Sequence, residues 1–378
     1  MKYKHLERYK VALETVSPVF IGSSDNLNKK ELVFIPNEGM VLVPDLDKLI
    51  AALEAKRALE AFEQYLMNES NRKPLREFLQ EQGIPVAANA PWVQYHLRCS
   101  SIEFRNINTL SRFIKDVQGR PYIPGASIKG AIRTALLYNR SSDKNIQSVK
   151  GAADYEIRTK RKQRECRDAE YPLRVLKLDQ RERKEMDAVN DLLKCLEVSD
   201  SAPFGDNSLV VCKKLELTRD GDVNGTSDVV SRGKPAPPLY RECLRPGLKT
   251  HFYVTIDKSL AKDKLSVDVI KNALKQWQRV QNEYADRFDY GRIDLRGLDT
   301  AGIPIVLGGG VGFQSKSLLM KLKDDRDSTI HAVLDAQFNK KEKRYKNSPG
   351  DPAPYRMKLA QYNGSFYPMG RCSLTVEE

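Results

Sequence analysis

The chain has 378 residues, enough for about two domains of ordinary size. Charged residues make up 30% of it, and 63 Lys and Arg against 50 Asp and Glu leave a formal net charge of +13, which favours an acidic partner without separating nucleic acid from a membrane surface. No apolar run approaches the roughly 20 residues that cross a bilayer, and the charged start MKYKHLERYKVALETV has no signal-peptide core. A cytoplasmic protein without a membrane partner is therefore expected. Six cysteines without a C-x-x-C pair, and four histidines away from ligand spacing, argue for free thiols and against a zinc site. No metal or cofactor is expected.

Val11, Leu13 and Thr15 alternate along KVALETV as a half-buried strand does, and the strand breaks at SPVFIGSSDN, which places Asp25 on a loop. ELVFIP and MVLVP flank the turn NEG and predict two short paired strands. Asp45 caps a helix with the stripe Leu46, Leu49, Ile50 and Leu53. The pattern continues through Ala58, Phe62, Tyr65 and Leu66, and a short helix in PLREFLQEQG stops at Gly83. YIPGASIKGAIRTALL, residues 122–137, predicts a turn running into a helix with Ser127 as N-cap and Ile128, Ala131, Ile132, Ala135 and Leu136 buried.

Residues 141–184 are polar and crowded with charge, which predicts a partly flexible insert. A helix is expected around Met186, Val189, Leu192, Leu193 and Leu196. KTHFYVTID alternates Phe252, Val254 and Ile256 as a strand, and Ser266 caps a long helix with Ile270, Leu274, Trp277, Tyr284 and Phe288 inside. IPIVLGGGVGFQSKSLL is a strand entering a glycine turn, a short helix surrounds Ile330, Val333, Leu334 and Phe338, and RCSLTVEE is a last strand. Strand, strand, helix, twice over, predicts two α+β units. Their expected bounds are 1–140 and 196–378, with a charged insert over 141–195.

The helix of residues 127–137 carries Lys129 and Arg133 near its N-terminus, where free N–H groups and the macrodipole are already positive. A phosphate there would turn repulsion into binding, and Gly125 and Gly130 would allow close approach. LGGGVGFQSKS lacks the spacing of a P-loop or dinucleotide loop, yet Gly308, Gly309, Gly310 and Gly312 can present amides to a phosphodiester, with Lys316 adding charge. The basic tracts over 158–167 and 340–346 can neutralise phosphates, and Tyr345 can stack on a base. Catalysis has little support: His5, His96, His251 and His331 are dispersed, and Asp25 is an isolated carboxylate.

The ordered set SPVFIGS, YIPGASIKGAIRTALL, VSDSAPF, PLYRECLRPGLKTHFYVTID, LGGGVGFQSKS and YPMGRC resembles the RAMP superfamily of CRISPR proteins. It resembles most the type III-A (Csm) effector subunit that caps the complex at the 3′ end of the guide RNA (crRNA). The resemblance implies two ferredoxin-like (RRM-like) domains with helical insertions, and an RNA-binding role in antiviral defence with no nuclease centre of its own. It implies that Ser127, Lys129, Arg133, Gly308, Gly309, Gly310, Gly312 and Lys316 face RNA, as RNA-binding residues, or the neighbouring subunit. It also implies assembly with the repeated Csm backbone RAMP subunit and the small helical subunit, and host nucleases as possible partners in crRNA trimming. The alternative is a RAMP endoribonuclease that processes crRNA precursor or cuts target RNA.

Overall fold

The computed structural model describes residues 4–68, 70, 72–100, 107–159, 167–178, 188–225, 230–231, 234–235, 239–337 and 351–377. The alternation at Val11 and Leu13 belongs to a ten-residue strand, Leu6–Thr15, at the centre of a five-stranded sheet. It pairs antiparallel with Lys249–Asp257 on one side and Arg371–Glu377 on the other, and Leu196–Val198 and Ile303–Val306 form the edges. Val11, Leu13, Phe252, Val254 and Ile256 are buried and share one apolar core with residues of the helices Gly125–Arg140 and Val267–Ala285. The Ser266 hydroxyl accepts from the Val269 N–H and caps the longer helix, as expected.

The second sheet runs in the order Gly22–Asn28, Thr109–Phe113, Tyr240–Leu244, Leu209–Leu217, Val93–Cys99, Met40–Pro44, Val33–Ile35. Met357–Tyr362 and Val223–Gly225 also pair with Leu209–Leu217. Against the Val33–Ile35 end lie the helices Leu46–Ala55, Leu59–Met67 and Leu75–Glu81. They close a separate cluster in which Leu49, Leu53, Phe62, Phe78 and Trp92 surround Val33 and Leu42. The Asp45 carboxylate accepts from the Lys48 N–H and caps the first of these helices.

The class is α+β, with two ferredoxin-like units and helical insertions. Neither sheet stays within the expected bounds of 1–140, 141–195 or 196–378, because each draws strands from both halves of the chain. Part of the expected insert is ordered as a 17-residue helix, Asp143–Thr159, anchored by the buried Ile146. The helix expected around residues 186–196 is instead two 3-10 turns, Ala188–Asn190 and Leu192–Cys195, followed by a sheet strand. Asp191 caps the second turn at the Leu193 N–H, and Leu196 is drawn into pairing with Ile256. Met186 and Phe338 lie outside the described residues. Asp25 is not on a loop but in the bulged edge strand Gly22–Asn28. The five described cysteines are free thiols, four of them buried.

Candidate nucleic-acid interface

The helix with cations at its start begins earlier than the sequence predicts. It spans Gly125–Arg140 with Pro124 in the extended N-cap position, so Ser127 is inside the helix and is not its cap. The Gly125 N–H donates to the Asp200 carboxylate at 2.7 Å, which places an acid of VSDSAPF where a phosphate was expected. A Cβ on Gly125 would lie 2.2 Å from the Val198 carbonyl oxygen, so this glycine serves a close approach within the chain. Lys129 donates from Nζ to the Leu196 carbonyl at 2.6 Å. Leu196 and Val198 belong to an edge strand of the smaller sheet, so the helix start shields an edge that would otherwise be open.

Arg133 is held by Asp191 at 2.8 Å and Glu170 at 3.1 Å, and Arg174 reaches the same two carboxylates at 2.6 and 2.5 Å. Burial works against the Arg133 charge, and Asp191 and Glu170 outweigh it, raising its pKa. At the other end of the helix, the Lys321 ammonium donates to the carbonyls of Tyr138 and Ser141, both at 2.6 Å, and complements the negative end of the dipole. The cations Lys129 and Arg133 therefore tie the helix to the edge strand and to Glu170 and Asp191.

The glycine loop follows the strand Ile303–Val306 and packs on SPVFIGS. Gly308 has φ +87°, and a Cβ there would sit 2.1 Å from the Phe20 carbonyl oxygen, while the Gly309 N–H donates to that oxygen at 2.7 Å. Gly310 has φ +81°, and its missing Cβ leaves room for the Arg241 guanidinium, whose nearest nitrogen would be only 2.0 Å away. Gly312 has φ +93° and lies against the Gln314 side chain. The Gly370 N–H donates to the Pro18 carbonyl and the Leu307 N–H to the Gly370 carbonyl, at 2.9 and 2.8 Å. SPVFIGS, PLYRECLRPG, LGGGVGF and YPMGRC thus meet in one seam. Lys316 is exposed, with no side-chain acceptor among the described residues.

Arg241 is the residue at this seam that the sequence did not single out. Its guanidinium carbon lies 4.9 Å from the centroid of the Phe20 ring, and Nη1 lies 4.0 Å from the Met369 sulfur. No oxygen acceptor meets it among the described residues, and burial pulls its pKa below the usual arginine value. The next residue, Glu242, points to the opposite face and is sealed. It accepts from the Tyr95 hydroxyl at 2.7 Å, the Phe113 N–H at 2.9 Å and Lys115 at 2.9 Å, with the Lys115 ammonium 3.8 Å from the Tyr95 ring centroid. The sequence Arg-Glu predicts opposite faces for the two; which of them finds a partner is set by strands more than a hundred residues away.

The histidines sit on different elements. His96 is on Val93–Cys99 of the larger sheet, and His251 on Lys249–Asp257 of the smaller one, edge-on to Tyr253 at 5.9 Å. His331 stacks on Tyr355 at 4.0 Å, and His5 precedes the first strand. Among the described residues no group of three or more His, Cys, Asp and Glu is placed to hold a metal, and no helix is long and apolar enough to cross a membrane. The basic tract over 340–346, with Tyr345, and most of that over 158–167 lie outside the described residues.

The RAMP superfamily model matches residues 12–296. Two proteins named CRISPR system Cms protein Csm5 are similar over nearly their whole length. That of Mycobacterium tuberculosis (strain ATCC 25618 / H37Rv) is 28% identical over 400 residues, covering 98% of each chain. That of Streptococcus thermophilus is 26% identical over 392 residues, covering 98% of this chain and 97% of its own. In fold, the chain is similar to one in the cryo-EM structure of a Csm-crRNA-target RNA ternary complex of a type III-A CRISPR-Cas system, with TM-score 0.64, 20% identity, and 98% and 100% of the two chains covered. It is also similar to the crystal structure of T. onnurineus Csm5, with TM-score 0.60, 20% identity, and 96% and 99% covered. The family match takes in strands of both sheets and the whole helix that opens at Gly125, and the chain belongs to the RAMP superfamily.

Proposed function

We propose that the chain is a non-catalytic crRNA-binding subunit of a type III-A CRISPR (Csm) effector ribonucleoprotein, seated at the crRNA 3′ end, where it caps the complex and supports crRNA maturation and assembly. The observation that carries this proposal is end-to-end similarity to Csm5 proteins, over 98% of this chain and 97–98% of theirs. The fold likeness to a chain of a Csm-crRNA-target RNA complex supports RNA as the ligand, as does the net charge of +13.

Contacts to the RNA backbone supply affinity without base preference, which suits a subunit that must accept guides of any sequence. The exposed Lys316 is one such contact. Lys129 and Arg133 act one step back, by fixing the helix and the segment beneath it. Capping follows from asymmetry: one face continues the heterologous contacts of the backbone RAMP subunits and the small helical subunits, and the other does not repeat them, so growth stops. Trimming of the crRNA is left to host nucleases.

The test is reconstitution of the effector with and without this chain, followed by native mass measurement and crRNA sizing. Complexes of defined length containing one terminal copy support capping. Complexes of unchanged length and crRNA without the chain overturn it. Metal-dependent or metal-independent cleavage of crRNA precursor by the pure chain, abolished by a single His or Asp substitution, would establish the endoribonuclease alternative instead.

A further inference from the structure

Most cations that turn inward in this protein are answered by the chain itself. Lys115 meets Glu242, Lys129 meets a strand carbonyl, Arg133 and Arg174 share Asp191, and Lys214 and Lys358 meet Glu216. Arg241 differs. It is half-buried, it carries five N–H donors, and among the described residues it meets an aromatic ring and a thioether but no oxygen. A guanidinium kept in such surroundings without an acceptor is costly, yet three features hold it there: the open side of Gly310, the Phe20 ring and the Met369 sulfur.

A second cation lies on the same face. Arg98 pairs with Val210, Val210 pairs with Cys243, and Cys243 stands two residues from Arg241 on its strand, so all four point to one side of the larger sheet. Two strand spacings across and two residues along put Arg98 about 12 Å from Arg241. Arg98 is exposed and has no side-chain acceptor among the described residues.

We propose that Arg241 is a phosphate-binding residue, its planar fork receiving one phosphate group of an RNA strand, with Arg98 the next cation on that strand's path. The assignment rests on the chain being an RNA-binding protein. The Phe20 ring, the Met369 sulfur and the glycine loop act as its holder, and no oxygen among the described residues takes up its N–H groups. An internal phosphodiester and a 3′-terminal phosphate share this chemistry.

The experiment uses the full chain, a short fluorescent single-stranded RNA with either a 3′-hydroxyl or a 3′-phosphate, and a salt series. Arg241→Gln is expected to weaken binding about tenfold or more and to lower the salt slope by about 0.7, while its Tm stays equal to or above that of the wild type. Equal losses on both RNAs assign the phosphodiester, and a loss confined to the 3′-phosphate RNA assigns the terminal group; either supports the proposal. Wild-type affinity and slope in Arg241→Gln, or a lower Tm with unchanged RNA affinity, overturns it. Should that variant not fold, Arg241→Lys keeps the charge and loses the fork. It is expected to bind several-fold more weakly with the wild-type slope, and wild-type affinity overturns the proposal. A wild-type chain that holds neither RNA overturns instead the assignment of the chain as RNA-binding.

Discussion

Lys129→Met separates two roles for the cation at the start of the Gly125–Arg140 helix. The substitution keeps an apolar stem of similar reach and removes the ammonium, which donates to the Leu196 carbonyl at 2.6 Å. Leu196 is fully buried, so its edge carbonyl is left under the helix without that donor. Such a loss costs about 1–3 kcal/mol. Unfolding entropy of about 2.1 cal/mol/K per residue gives about 0.8 kcal/mol/K for a chain of 378 residues. The expected fall in Tm, followed by circular dichroism, is therefore about 1–4 °C. RNA affinity at 25 °C should stay within about twofold of wild type, with the same salt slope. An unchanged Tm together with a slope lowered by about 0.7 would show the ammonium on a phosphate and refute the structural role.

The two glycines of the same helix should respond with opposite signs. Gly130→Ala, exposed and with nothing within 4 Å of a new Cβ, is expected to stabilise by about 0.5–1 kcal/mol. Gly125→Ala drives a Cβ to 2.2 Å from the Val198 carbonyl oxygen and should cost several kcal/mol or prevent folding; equal Tm changes would refute the close approach. Asp200→Ala removes the acceptor of the Gly125 N–H and should cost about 0.5–2 kcal/mol in urea denaturation, with no loss implying that another group caps the helix. Burial opposes the Glu216 charge, but Lys358 and Lys214 outweigh it and lower its pKa from 4.5 to about 2. Its contribution is present above pH 4.5 and is lost as pH falls through about 2, so the stability deficit of Glu216→Gln should be widest at neutral pH and narrow in acid. A deficit that does not vary with pH would contradict the assignment of that charge.

What was legible in the sequence was local. Asp45 and Ser266 cap the helices they precede, and the alternation of Val11 and Leu13 and of Phe252, Val254 and Ile256 marks buried strand faces, because these signals depend on residues a few positions apart. The motif set carried the superfamily. What was not legible was long-range. Lys129 reaches its acceptor across 67 residues and Arg133 reaches Asp191 across 58, so a helix start with unmatched charges was in fact matched. The helix expected near residue 190 gives way to turns because Asp191 is committed to two arginines and to the Leu193 N–H. The glycines of LGGGVGF were visible as permissive backbone, but that Gly310 makes room for Arg241 depends on a strand far earlier in the chain.

Together these contacts give the motifs a division of labour. IPGASIKGAIRT builds and shields the smaller sheet, and the glycine loop closes the seam between the sheets and holds Arg241. Under the proposed function, RNA contact would fall to cations without an acceptor among the described residues, Arg241, Arg98 and Lys316. The most direct test of the central claim is to purify the tagged chain from cells that carry a CRISPR array and to sequence the RNA that comes with it. The expected result is strong enrichment of mature crRNAs of every spacer, recovered with the backbone and small helical subunits. A chain recovered alone, or with RNA no richer in crRNA than the cell extract, would contradict it.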